Sequence, residues 1–286
     1  MPLIIEDDDR EESIFPHNRD FSEGVRERGI REGQATIVVA LDGSGDAETI
    51  QEGINMLPTT GGVVYIKEGT YVQKLDTAIT MGANIQLRGT GKATIIKADA
   101  GSASTMITLG ANCSLVDLYI DGRNLDNAGV TIASTDCFIV NCYFVDCNDN
   151  SINLNSSKAR ILNNSMSSGN HGITLTGATE CIIIGNNIFS NAGGARGIYI
   201  INTSDNNIIM GNVIVSNGND GIELEATSDN NIIEGNIIKS NGAVGIHIAA
   251  ASDDKNLIHG NIVLLNTTAQ ITDSGTATTV ADNITA

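Results

Sequence analysis

GIYIINTSDNNIIMGNVIVSNGND, residues 197–220, is followed at once by GIELEATSDNNIIEGNIIKSNGAV, residues 221–244. Each stretch opens on Gly-Ile and carries Gly-Asn near its middle. The Gly-Ile step recurs as Gly172-Ile173, Gly197-Ile198, Gly221-Ile222 and Gly245-Ile246, at intervals of 25, 24 and 24 residues. Gly-Asn recurs at Gly185, Gly211, Gly235 and Gly260, at intervals of 26, 24 and 25. Two independent landmarks march in step, so the chain is a repeat protein. Within each unit, short Ile-x-Ile and Ile-Ile segments alternate as strands with one face buried. A unit of this length with three short strands predicts one coil of a right-handed, single-stranded parallel β-helix, an all-β solenoid. Ankyrin, tetratricopeptide and armadillo units are longer and helical, and the leucine-rich repeat pattern is absent.

Stacking the coils predicts columns. Asn164, Asn186, Asn212, Asn236 and Asn261 fall in one column, and Asn191, Asn217, Asn241 and Asn266 in another. Their amides can bond along the axis at a spacing of about 4.8 Å. Ile120, Phe144, Met166, Ile188, Ile214, Ile238 and Val263 form an inward apolar column. Upstream, Gly129-Val130 and Ser151-Ile152 align with the Gly-Ile steps, and Ile85 to Ile96 reads as an earlier turn. Roughly nine coils make a rod about 40 Å long.

Three regions follow. Residues 1–34, with 10 acidic and 5 basic residues and no repeat, form a charged arm, a solvated tail or an anchor that orders on a partner. Residues 35–80 hold a short helix, Ala47 to Leu57, with Asp46 as its cap, lying as a lid over the first coil. Residues 81–286 are the coils, the last of them without a capping helix; an open coil end is a sheet edge that invites a partner.

Composition narrows the function. Net charge is −18 with no basic stripe, which argues against nucleic acid. Apolar runs such as Ile182-Ile183-Ile184 are too short to span a membrane. MPLIIEDDDR shows neither a basic n-region nor an apolar h-region, so no signal peptide is visible. The five cysteines form no CxxC pair; Cys113 and Cys137 stack one repeat apart, as buried thiols or as a disulfide.

The segment LDGSGDAETIQEGINMLPTTGGVVYIKEGTYV, residues 41–72, resembles the entry to pectate-lyase-like and pectin-esterase-like β-helices. The later coils are similar to the repeats of polygalacturonases, copper-site assembly proteins and viral tailspikes. The resemblance implies the fold and a lateral wall that handles polysaccharide. Against the polygalacturonase motifs, Asp149-Asn150 and Asn170-His171-Gly172 lie about where the second and third would fall. Asn150 replaces the second aspartate of the pair, Asn127-Ala128 stands at the first motif, and Arg196-Gly197-Ile198-Tyr199 departs from the last. The hydrolase set is incomplete, since a glycosidase needs both an acid and a base.

The middle residue of each Gly-Ile-x-[Ile/Leu] strand points outward. That column is Thr131, Asn153, Thr174, Tyr199, Glu223 and His247, beside Asn150, His171, Arg196, Asp220 and Val244. Glu223 and Glu225 are expected roughly 6.7 Å apart along one strand, near the separation in an inverting glycosidase. Glu223, Glu225 and Asp220 are therefore the candidate catalytic acids. Asp149, His171, Arg196, Tyr199 and His247 are the candidate substrate-binding residues. No metal site and no cofactor are expected; His171 and His247 lie three coils apart, and His259 sits at a turn.

The resulting expectation is a surface-exposed or virion-type, tailspike-like protein that binds polysaccharide along its lateral wall. An active hydrolase, lyase or epimerase, and a structural spike subunit with no ligand, are the alternatives. The expected partners are a glycan, further copies of the chain as a homo-oligomer with a trimer among the options, and a virion or surface partner through residues 1–34. The expected location is extracellular or on a virion surface.

Overall fold

The computed structural model describes residues 35–285 apart from 75–76, 100–104, 126–127 and 192. The expected arm, residues 1–34, lies outside the described residues. From residue 36 onward the chain winds as a parallel β-solenoid of about ten turns, one more than the sequence count. Every pairing between its strands is parallel and joins one coil to the next. Three sheets form its sides. The first sheet runs from Thr36–Val39 through Ile182–Ile184, Ile208–Met210 and Ile232–Glu234 to Thr279–Ala281. The second runs from Gly69–Lys74 through Asn187–Phe189 and Val213–Val215 to Ile284–Thr285. The third includes Asn150–Leu154, His171–Thr176, Ile198–Ile201, Ile222–Leu224 and Val244–Ile248.

The interior is a stack of aliphatic columns. Ile120, Phe144, Met166, Ile188, Ile214, Ile238 and Val263 are in continuous register on the second sheet, and all are fully buried. The Gly-Asn signature has a geometric cause. Gly185, Gly211, Gly235 and Gly260 take φ of 61–68° at the corner between the first and second sheets. Glycine adopts that left-handed conformation without steric cost. Earlier coils fill the same corner with Asp117, Asn141 and Asn163, also left-handed, residue types enriched there.

Each following asparagine closes the corner. Asn212 donates to the Ile183 carbonyl at 2.9 Å and to Asn236 Oδ1 at 3.0 Å, while its own Oδ1 accepts from the Asn186 backbone N–H at 2.9 Å. The predicted second ladder, Asn191 through Asn266, is formed in the same way. A third, Asn207–Asn231–Asn256, lies at the remaining end of the first sheet.

The helix is shorter than predicted, and its cap differs. It spans Ile50–Met56, with Thr49 at the N-cap and Glu52 completing a capping box. Asp46, the predicted cap, instead accepts from the Val38 backbone N–H at 2.7 Å. All five cysteines are free and buried, so the disulfide alternative falls away. Burial pushes the thiols of Cys142 and Cys147 up to about 12, which keeps them protonated and inert.

Candidate functional site

The third sheet presents its middle residues outward in one column, Thr131, Asn153, Thr174, Tyr199, Glu223 and His247, in the predicted register. Facing outward does not make them free. Glu223 is only 5% exposed and Asp220 only 4%, because side chains from adjacent coils, one strand spacing away, lean over them.

Arg196 organises the centre. Its Nε donates to Glu223 Oε2 on the next coil, and its guanidinium lies 4.1 Å from the Tyr199 ring centroid, a cation–π contact. Its backbone N–H donates to His171 Nδ1 at 2.9 Å. That bond assigns Nδ1 as the acceptor, so the neutral ring carries its proton on Nε2. Burial first, and the nearby Arg196 charge second, lower the His171 pKa to about 4, and the imidazole is neutral at pH 7. The His171 and Tyr199 rings are tilted, with centroids 5.5 Å apart.

The Tyr199 hydroxyl donates to Glu225 Oε2. Burial and this bond to a carboxylate raise the phenol to about 12. Burial likewise raises Glu223 above the ordinary glutamate range; Arg196 opposes the rise and Asp220 reinforces it. On the other side of Glu223, His247 Nδ1 lies 3.1 Å from Asp220 Oδ2 and 3.7 Å from Glu223 Oε1. Asp220 Oδ1 accepts from the Val244 backbone N–H at 2.7 Å.

The structure thus joins Asp220, Glu223, Glu225, His171, Arg196, Tyr199 and His247 into one continuous network. Glu223 and Glu225 have separate partners within it, Arg196 for one and Tyr199 for the other. Asp149 belongs to a second cluster on an earlier coil. There Asn150 donates to Asp149 Oδ1 at 3.1 Å and to Asn153 Oδ1 at 2.6 Å, and accepts from Thr174 Oγ1 at 3.1 Å.

Two groupings escaped the sequence reading. Asn150, read there as a departure from a motif and as a member of the column beside the wall, is the buried centre of the Asp149 cluster. Asp220, Glu223 and His247 hold ligand-type atoms all within 4.8 Å of one another, where no metal grouping was expected. The signal was the spacing itself: residues 220 and 223 on one coil and 247 on the next share adjacent outward columns. His259, expected at a turn, ends the strand Leu257–His259 and bridges Glu234 at 3.3 Å and Asp282 at 3.1 Å.

No helix among the described residues is long and apolar enough to cross a membrane. No curated protein matches the sequence. Among solved structures, a protein of Geobacillus virus E2, ORF18, aligns over 93% of this chain and 63% of its own, at 17% identity and a TM-score of 0.63. The Dettilon tailspike protein aligns over 87% of this chain and 62% of its own, at 16% identity and a TM-score of 0.63. Pectate lyase Pel9A aligns over 77% of this chain and 69% of its own, at 13% identity and a TM-score of 0.58. These likenesses establish the fold; the chain spans less than two thirds of the viral protein and of the tailspike. Residues 62–285 match the family described as periplasmic copper-binding protein (NosD), and the chain belongs to that family of parallel β-helices.

Proposed function

We propose that this protein binds polysaccharide along the outer wall of its third sheet, at a cell or virion surface. The observation that carries the reading is the network from His171 through Arg196, Tyr199 and Glu223 to His247, laid across four successive coils. A sugar chain is recognised by planar hydrogen-bonding groups together with C–H surface. Arg196 and the carboxylates supply the first, and the His171 and Tyr199 rings supply the second. The structural neighbours support the reading at the level of fold, since a tailspike and a pectate lyase stand among them.

One observation favours turnover over binding alone. Glu223 is a carboxyl raised above its ordinary range by burial, against the opposing Arg196 charge, and burial is one way in which general acids are tuned. Glu223→Gln divides the two readings on a panel of acidic and neutral polysaccharides. In an enzyme it abolishes the release of reducing ends or unsaturated product. In a binder it changes affinity less than tenfold. Tyr199→Ala weakens binding under both readings, because it removes a contact and not a charge. A parent protein that neither binds nor cleaves any member of the panel rejects both and leaves a structural subunit.

The family description raises copper as a ligand. Asp220, Glu223 and His247 would offer two oxygens and one nitrogen, an oxygen-rich set with no thiolate or thioether. Glu223 already receives the Arg196 guanidinium and Asp220 receives the Val244 N–H. Those bonds take Glu223 Oε2 and Asp220 Oδ1, while Glu223 Oε1 and Asp220 Oδ2 face His247 Nδ1; the Arg196 charge beside Glu223 still opposes a second cation there.

A further inference from the structure

The outer face of the first sheet carries two side-chain columns. One reads Ser114, Phe138, Arg160, Ile182, Ile208, Ile232, Leu257 and Thr279. The other reads Val116, Val140, Leu162, Ile184, Met210, Glu234, His259 and Ala281. These residues point away from the core, and none from Phe138 through His259 is buried. From Leu162 to Ile232 the face is an unbroken aliphatic patch, as apolar as the inward columns. A sheet with one face in water usually keeps polar residues on that face, and parallel sheets usually have both faces covered; this parallel sheet presents an apolar face with nothing among the described residues over it.

Charge lies only at the two ends of the patch, with opposite sign. At one end Arg160 covers the Phe138 ring at 5.2 Å, and among the described residues no carboxylate pairs with it. At the other end Glu234 and Asp282 share His259, leaving that end acidic. The second sheet has an apolar outer stripe too, but Lys239 stands within it, between Val215 and Leu264.

We infer that the first-sheet face is an interface between two copies of this chain, packed antiparallel about a two-fold axis that crosses the Ile208–Met210 row. Turning one rod end for end places Arg160 of each copy over the row of Leu257 and His259, flanked by Glu234 and Asp282, of the other. Ile182 and Ile184 then lie over Ile232 and Glu234. The face is its own complement, as an isologous contact requires. Size supports the pairing. The seven rows from Phe138 to Thr279 then face one another over roughly 29 Å, and a contact of that length buries on the order of 500 Å² per copy, about 1,000 Å² in total, which reaches the lower bound for a specific interface. The third sheet stays uncovered, so the inference does not depend on what its wall binds.

Sedimentation of the full-length protein tests the arrangement. The parent should sediment at the mass of two chains, and Ile208→Lys should reduce it to one with the β signal unchanged, since the side chain points away from the core, and with the melting temperature lowered only by the lost association. Ile237→Lys on the second sheet should leave the mass of two chains intact. Arg160→Glu should weaken association at least tenfold, and adding Glu234→Arg should restore most of the loss. A single-chain or three-chain parent, or a dimer dissociated by Ile237→Lys but not by Ile208→Lys, overturns the inference. So does a dimer that survives Ile208→Lys and is lost on deleting residues 1–34, which would place the contact in the arm.

Discussion

Two polar columns run through the same coils and obey opposite rules. At the corner between the first and second sheets, Asn164, Asn186, Asn212, Asn236, Asn261 and Asn283 repeat one residue coil after coil. On the outer face of the third sheet, Thr131, Asn153, Thr174, Tyr199, Glu223 and His247 share a column in which no two neighbours are alike. A primary amide is both donor and acceptor, so a stack of one residue satisfies itself. The wall achieves its satisfaction with unlike partners, guanidinium to carboxylate and phenol to carboxylate. Nothing in the solenoid demands such variety, because a column of threonines would serve the sheet as well. Repetition marks what the fold needs, and departure from repetition marks what a ligand can use.

The sharpest way to break this contrast is at the ladder. Asn212→Leu removes four hydrogen bonds, two from Asn186 and two made by the Asn212 amide to Ile183 and Asn236. It strands buried donors on one side and buried acceptors on the other. With about 1–3 kcal/mol for each buried group left unpaired, the expected loss is about 4 kcal/mol, read as a shift in the urea midpoint. An unmoved midpoint would mean that the column is dispensable, and the distinction between ladder and wall would collapse.

The wall should show itself through pH. His171 has its pKa lowered from 6.5 to about 4, so the folded protein binds fewer protons than the unfolded chain between those values. Its contribution is fully present above pH 6.5 and is lost as pH falls toward 4. A shift of that size corresponds to roughly 3 kcal/mol. Other carboxylates titrate in the same window, so the comparison is with His171→Gln, whose amide can still accept from the Arg196 N–H. The parent should lose more stability than this variant between pH 7 and 4.5. Parallel profiles would place His171 in contact with solvent and detach it from the network.

Much of the architecture was legible because a solenoid writes its geometry as intervals. The Gly-Ile and Gly-Asn steps located the strands, the corner and two amide ladders. The Asn207–Asn231–Asn256 ladder was not among the predicted columns, although its residues recur at intervals of 24 and 25. Asp205 and Asp229, whose carboxylates accept backbone N–H groups from the next coil at 2.8 and 2.7 Å, stand beside that ladder and were not singled out either. The wall was harder for a physical reason. Periodicity reports which way a side chain points, but not whether a longer neighbour folds over it. Glu223 therefore read as an exposed acid until Arg196 and His247 were seen to cover it.

The smallest expected effect concerns a lapse in repetition inside the core. Gly129, Gly172, Gly197, Gly221 and Gly245 share an inward column of the third sheet in which one coil carries Ser151, whose buried hydroxyl has no hydrogen-bond partner. A Cβ built at Gly172, Gly197 or Gly221 meets the backbone carbonyl oxygen of the next coil at 2.5–2.6 Å and the Cγ2 methyl of Ile188, Ile214 or Ile238 at 2.4–2.5 Å. A Cβ at Gly245 meets a Val263 methyl at 2.3 Å. These blocking residues are β-branched and belong to one apolar column, whose member on the coil of Ser151 is Met166. Methionine is unbranched at Cβ and bends around an obstacle, which removes the side-chain part of the obstruction at Ser151. Met166→Ile should therefore cost about 1–2 kcal/mol, as overpacking does, and Ser151→Gly should recover most of that loss in the double variant. Ser151→Gly alone should change stability by less than about 1 kcal/mol, since the relief of an unpaired hydroxyl offsets the added freedom of glycine in the unfolded chain. A double-mutant cycle on thermal melts reads the coupling directly. Equal costs for Met166→Ile in the serine and glycine backgrounds would show that the two positions do not touch, and that the glycine column answers to the backbone alone.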